Sequence, residues 1–197
     1  MDTSAIQSAF SRTYSEGRWK HSTSESLSGE GSGLKWTESY RDELISIIKN
    51  HNIKSILDCS CGDWNWMRTI SDQFDRYVGI DIVASVIQSN TERYATDKVS
   101  FINNDMLSYL VHSELFDLII CRHTFEHLPE AYNIKSINQI MSKGRFFLTT
   151  TMVADSNMDK ECDGWGFRRI DLSKEPYQSI VGTPIYSFYD SPIDLPR

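Results

Sequence analysis

The residues able to do chemistry recur at regular intervals along the chain. Asp58 closes one apolar run, Asp81 closes the next about 23 residues on, Asp105 follows a third, and Arg122 and His123 follow a fourth, with Glu126 and His127 just beyond. A carboxylate at that distance from the end of a first strand is placed to take the hydroxyls of a ribose. Residues 59–62 (Cys-Ser-Cys-Gly) are small, so the backbone after Asp58 can approach a ligand closely. Histidine changes charge near neutral pH, which makes His123 and His127 the candidate proton acceptors. Arg122 is placed to orient an acceptor hydroxyl or a carboxylate. The pattern describes a nucleoside-bearing ligand beside a general base.

The same residues admit other chemistry. His123-Thr124-Phe125-Glu126-His127 matches the His-x-x-Glu-His pattern in which two histidines on one helix face hold zinc and the glutamate is the base. A divalent metal stays open, with His123, Glu126 and His127 as donors, although no oxygen-rich cage is evident. Ser60-x-Gly62-x-x-Asn65 is not Gly-x-Gly-x-x-Gly, which disfavours a nicotinamide site. A catalytically inactive binding module on the same scaffold is the reading from outside the enzymes.

To bring these residues together, the chain needs elements that end at one edge. Residues 53–58, 76–81, 99–102, 116–121 and 144–151 read as strands, separated by helical patterns such as those over about 37–50 and 132–142. Thr37 reads as a helix N-cap, and His123 and His127 fall on a helix start, on one face. Such alternation predicts βαβ crossovers and a mainly parallel sheet with helices on both faces. Beyond Thr151 the style changes. A loop holding Gly164 and Trp165 precedes two extended candidates, 167–172 and 185–189, read as an antiparallel edge pair.

Composition narrows the partners. The 197 residues include 40% apolar and 24% charged residues, enough for one domain with a sizeable core, and the net charge is -7. Without a Lys/Arg stripe, duplex nucleic acid is not an expected partner. Neither a leader nor a run long enough to span a bilayer is present, so a soluble, cytoplasmic protein without membrane insertion is expected. Cys59, Cys61, Cys121 and Cys162 lack metal-type spacing and read as free thiols in a reducing compartment. Residues 1–35 are rich in Ser and Gly, yet Phe10, Tyr14 and Trp19 give them aromatic anchors, so they read as an arm or lid. Residues 36–151 form the core of the single domain and 152–197 an acceptor-side segment.

In this order and spacing, Asp58, Gly62, Asp81, Asp105 and the segment 116–128 resemble the class I S-adenosylmethionine-dependent methyltransferases. That family has an acidic-x-Gly-x-Gly-x-Gly first loop, whereas Ser60 and Trp64 stand at two of the glycine positions here. The stretch Cys61-Gly62-Asp63-Trp64-Asn65-Trp66-Met67 is similar to a narrower group of small methyltransferases. That group shares a Ser-Gly-x-Gly-Ser segment (28–32) and a Thr-Thr-Thr strand end (149–151), and its members often accompany glycosyltransferase domains. The resemblance implies a Rossmann-like fold with a seven-stranded sheet and S-adenosyl-L-methionine as cofactor. Asp58 would orient the methionine ammonium beside Ser60, Gly62 and Trp64; Asp81, with Ile82, would hold the ribose; Asp105 and the N–H of Met106 would meet the adenine. The aromatic residues suit the apolar faces of a glycan. O-methylation of a sugar hydroxyl, for instance on a deoxysugar such as rhamnose, is therefore expected, with a small-molecule acceptor or a protein side chain as the alternative.

Overall fold

A computed structural model describes residues 3–157 and 166–188. Five strands form one open sheet, β1 (Ser55–Cys59), β2 (Arg76–Asp81), β3 (Val99–Asn103), β4 (Phe116–Cys121) and β5 (Gly144–Thr149). Their order is β3-β2-β1-β4-β5 and every pairing is parallel. The reversal of strand order lies between β1 and β4, which places the ligand crevice at the carboxyl ends of these strands. Asp117, at the other end of β4, accepts from the N–H groups of Lys54 and Ser55 at 2.9 Å and pins that register.

Alternation of period two divides the strands between two cores. Leu57 and Cys59 of β1 and Val78 and Ile80 of β2 face one apolar layer, which is shared with α4 (Met106–His112) and α5 (Glu130–Lys143). Ile56 and Tyr77 face the other, which is shared with α2 (Glu38–Asn50) and α3 (Ala84–Tyr94). Helices thus cover both faces, as a parallel sheet demands. An N-terminal helix, α1 (Ser4–Ser15), adds Ile6 and Phe10 to the first core, and a short α6 (Gln178–Val181) follows the sheet.

Several expectations change. The described residues hold five strands, and no antiparallel edge is present among them. Residues 167–172 lie beside the chain at Thr151, but apart from a bond from Met152 N–H to the Ile170 carbonyl the contacts run through side chains. Leu172 N–H donates to Thr151 Oγ1, and Asn157 brackets Asp171. Residues 185–188 form no strand; Pro184 just before them has no N–H to give a ladder, and Tyr189 lies outside the described residues, as do Cys162, Gly164 and Trp165. β5 stops at Thr149, so Thr150 and Thr151 are available to brace loops. Thr37 does precede α2, but its hydroxyl donates back to the Gly33 carbonyl at 3.0 Å instead of capping the helix. No described helix is long and apolar enough to cross a membrane. Cys59, Cys61 and Cys121 are free thiols.

Candidate active site

At the carboxyl ends of β1, β2 and β4 lies a cavity of about 320 Å³. Of the residues expected to touch cofactor or acceptor, all but Trp64 border it. The loop after β1 forms its floor. Ser60 N–H and Cys61 N–H both donate to the Ile80 carbonyl, Gly62 N–H donates to Asp81 Oδ2 at 3.1 Å, and Asn90 Nδ2 donates to the Gly62 carbonyl at 2.8 Å. The three glycine positions of the resembled loop, residues 60, 62 and 64, all have left-handed φ, at 68°, 55° and 56°. The loop therefore keeps a glycine-type backbone even where a serine and a tryptophan occupy it. Trp64 turns its ring away from the cavity and packs against Tyr77, Tyr94 and Phe101, while Trp66 lines the wall.

Asp58 is only 4% exposed and accepts the Tyr77 hydroxyl at 2.7 Å. Burial pushes its pKa up to about 7; the Tyr77 bond opposes this, the Asp81 charge adds to it, and Arg122 again opposes it. Asp81 accepts from Val83 N–H at 2.9 Å as well as from Gly62, so it braces the turn that leads into α3 and ties the first loop to the second strand. Burial raises it to about 6, against the backbone bonds from Val83, Gly62 and Ile82. Asp105 caps α4 through Ser108 N–H at 2.9 Å and takes the hydroxyl of Tyr132 at 2.5 Å. Each of the three carboxylates keeps accepting capacity for a ligand. Tyr132, at the start of α5, borders the cavity with Met106 and has no counterpart among the expected site residues.

The opposite wall comes from β4. Arg122 is buried, with its guanidinium over the rings of Tyr40 (4.9 Å) and Trp66 (5.7 Å), and its Nη2 donates to the Gly31 carbonyl at 3.0 Å. His123 and His127 do not share a helix face. His123 has φ 51°, residues 125–127 make a single 3₁₀ turn, and Leu128 is extended because Pro129 follows it, so α5 begins only at Glu130. His123 donates its backbone N–H to Thr150 Oγ1 at 2.9 Å, and its Nδ1 lies 2.9 Å from Glu126 Oε1. His127 Nδ1 lies 2.7 Å from the Gly166 carbonyl, and its ring stands among Phe10, Trp19 and Phe167. The helical geometry that the zinc pattern requires is absent. Among the described residues no three His, Cys, Asp or Glu side chains form a group able to hold a metal ion.

The roof is the arm. Tyr14, Trp19, Ser28 and Gly31 border the cavity. Asp63 fastens them there: its carboxylate accepts from Ser26 Oγ, Leu27 N–H (2.6 Å) and Ser28 Oγ (3.0 Å), while Asp63 N–H donates to Ser28 Oγ at 2.8 Å. The Tyr14 hydroxyl lies 2.8 Å from Ser28 Oγ, and a Cβ on Gly62 would meet that same oxygen at 2.4 Å. The arm thus leaves no room for a side chain at 62, where the left-handed φ also favours glycine.

A protein-family model described as a methyltransferase domain matches residues 34–180. The chain belongs to that family. Among solved structures, the methyltransferase domain is similar to a DhpI complex with S-adenosylhomocysteine, at 18% identity and a TM-score of 0.55, over 85% of this chain and 78% of that one. It is also similar to the N-methyltransferase NodS from Bradyrhizobium japonicum WM9 in complex with S-adenosyl-L-homocysteine, at 15% identity and a TM-score of 0.53, over 71% and 67%. A third is the methyltransferase domain of bacterial CtHen1, at 17% identity and a TM-score of 0.51, over 58% and 65%. The first of the matched structures, a Clostridium acetobutylicum methyltransferase, is spanned over only 49% of its length. Comparison with curated proteins finds no significant sequence match. The shared feature is the Rossmann-like α/β scaffold of S-adenosylmethionine-dependent methyltransferases.

Proposed function

We propose that the domain binds S-adenosyl-L-methionine and transfers its methyl group to a sugar hydroxyl of a glycan. The observation that carries this reading is the convergence of Asp58, Asp81 and Asp105 on one cavity whose far wall holds His123. A carboxylate pair can accept from a ribose diol and an ammonium, both of which the cofactor carries, and NodS and DhpI, similar in fold, form complexes with its demethylated product S-adenosylhomocysteine. The cofactor supplies a methyl on a sulfonium for in-line displacement, so this chain has only to position the reactants and remove a proton. Asp81 holds the ribose with Ile82 beside it, Asp105 and Met106 face the adenine, and Asp58, Ser60 and Gly62 face the methionine end. Trp64 then supports the loop from behind. Arg122 orients the acceptor or a carboxylate.

Sugar as the acceptor is supported by the rings of Phe10, Trp19 and Phe167 around His127 at the mouth, where Phe167 is 58% exposed. The loop's resemblance to the narrower group of small methyltransferases whose members often accompany glycosyltransferase domains points the same way, and glycosyltransferase domains of the same pathway are the expected partners. Ring stacking would serve a flat small molecule equally well, which keeps a small-metabolite acceptor as the second reading. The test is calorimetric titration with S-adenosylmethionine, followed by mass spectrometry on a panel of deoxysugar-containing glycans. Binding and a cofactor-dependent gain of one methyl group are expected. Absence of cofactor binding overturns the methyl-transfer reading, and binding with methylation of non-sugar acceptors alone overturns the glycan assignment.

A further inference from the structure

We propose that Glu126 is a positioning residue that fixes the tautomer of His123 and makes its Nε2 the proton acceptor of the reaction, a role that rests on the methyl-transfer reading. A carboxylate can only accept, so the 2.9 Å contact between His123 Nδ1 and Glu126 Oε1 holds a proton on Nδ1, and in the neutral ring that tautomer has its basic lone pair on Nε2. Glu126 is 3% exposed, so its charge acts on the imidazole through little solvent. The pair is held from three sides. His123 N–H is fixed to Thr150 at the end of β5, Thr124 Oγ1 donates to the Arg122 carbonyl, and the Glu126 carbonyl accepts Arg168 N–H at 3.0 Å.

The surroundings separate the two histidines. His127 also carries its proton on Nδ1, but against the Gly166 carbonyl, a neutral partner, with its ring among those of Phe10, Trp19 and Phe167. His123 faces a carboxylate, which favours the imidazolium. Among the described residues, the other charged or titratable groups bordering the cleft are Arg122 beside it, His127, Asp58 at the end of β1, Cys61 in the first loop, Asp81 and Asp105 across the cavity, and the phenols of Tyr14 and Tyr132. In the reaction the acceptor oxygen forms a bond to the methyl carbon while the carbon–sulfur pair stays on sulfur, leaving a neutral thioether. The hydroxyl proton passes to His123 Nε2, and the resulting imidazolium faces Glu126 until it returns the proton to water.

The test is nitrogen-detected NMR of labelled histidines in the full chain, with and without S-adenosylhomocysteine, in wild type, Glu126→Gln and Glu126→Asp. The wild type is expected to show His123 protonated on Nδ1 when neutral. Its proton affinity should fall about 10-fold or more in Glu126→Gln, the smallest shift expected for losing an opposite charge in contact, and should recover in part in Glu126→Asp. On whichever glycan of the panel is methylated, Glu126→Gln should lower kcat at least ~10-fold with the cofactor KM unchanged and move the acidic limb of the pH profile to lower pH. A wild-type His123 protonated on Nε2, or a proton affinity equal in wild type and Glu126→Gln, overturns the proposal. Because the tautomer is read in the unaltered chain, a variant that fails to fold leaves the proposal testable. The same samples separate the two readings: failure to bind S-adenosylhomocysteine overturns the methyl-transfer reading, while binding without the Nδ1–H tautomer overturns the dyad alone.

Discussion

Asp58 and Asp81 carry most of the electrostatic tension of the cleft. Both are buried carboxylates raised toward neutrality, to about 7 and about 6, mainly by desolvation. A carboxyl whose folded pKa exceeds its unfolded value of about 4 contributes stability that is fully present below pH ~4 and is lost as pH rises through the folded pKa. Melting of the protein without cofactor, followed by calorimetry between pH 4 and 8, should therefore show a falling contribution from these two groups up to about pH 7. Binding a ligand that carries sulfonium and ammonium charges should pull both pKa values back down. Titration near pH 6.5 in buffers of different ionisation enthalpy should then register proton release, and proton uptake would contradict the placement. A second test at this scale contrasts neighbouring positions of one loop. Gly62→Ala should destabilise by about 1–3 kcal/mol through the clash with Ser28. Ser60→Gly, which relieves a left-handed serine at the expense of unfolded-state entropy, should stay within about 1 kcal/mol of wild type by thermal melting. This contrast also marks the limit of the sequence. A motif written in glycines reports a backbone conformation, so Ser60 and Trp64 look like departures in the sequence while the chain still adopts the left-handed conformation there.

The five parallel strands are legible in the sequence because β-branched and aromatic runs between amphipathic stretches leave few alternatives. Two segments were not. Spacing alone puts His123 and His127 on one helix, yet Pro129 forbids a helical Leu128, and a reading that weighted the residue before proline would have stopped the helix there. The C-terminal segment shows alternation without a ladder, because its contacts are made by Thr151, Asn157 and Asp171 side chains whose partners lie far away in sequence. The latch between the arm and the first loop was invisible for the same reason, since nothing near Asp63 announces Ser26 and Ser28. Asp63→Ala removes the acceptor for three donors of the arm at once. It should weaken cofactor binding by about 10-fold or more and expose residues 16–33 to limited proteolysis while the melting of the sheet core changes little. An arm that stays protected in this variant would show that Asp63 does not hold it.

At the scale of the molecule, the family model begins at residue 34, whereas the cavity is roofed by residues before it. We propose that residues 1–35 act as a lid, residues 36–151 carry the cofactor and residues 152–197 face the acceptor. Deleting residues 1–33 should then abolish most turnover, while the melting temperature drops by only the few degrees that Ile6 and Phe10 contribute to the first core. A truncated chain with full turnover would make the segment a mere tail. The roof has a consequence for the order of events. A cofactor lying beneath Tyr14 and Ser28 would enter and leave as the arm lifts, whereas an acceptor arriving past the exposed Phe167 would meet the arm at Phe10 and Trp19 without displacing Tyr14 and Ser28. Binding would then be compulsorily ordered, and departure of the spent cofactor would be the slow step. Rapid mixing of protein, S-adenosylmethionine and acceptor should show a burst of methylated product stoichiometric with protein before the steady rate, and Asp63→Ala should shorten the lag between turnovers.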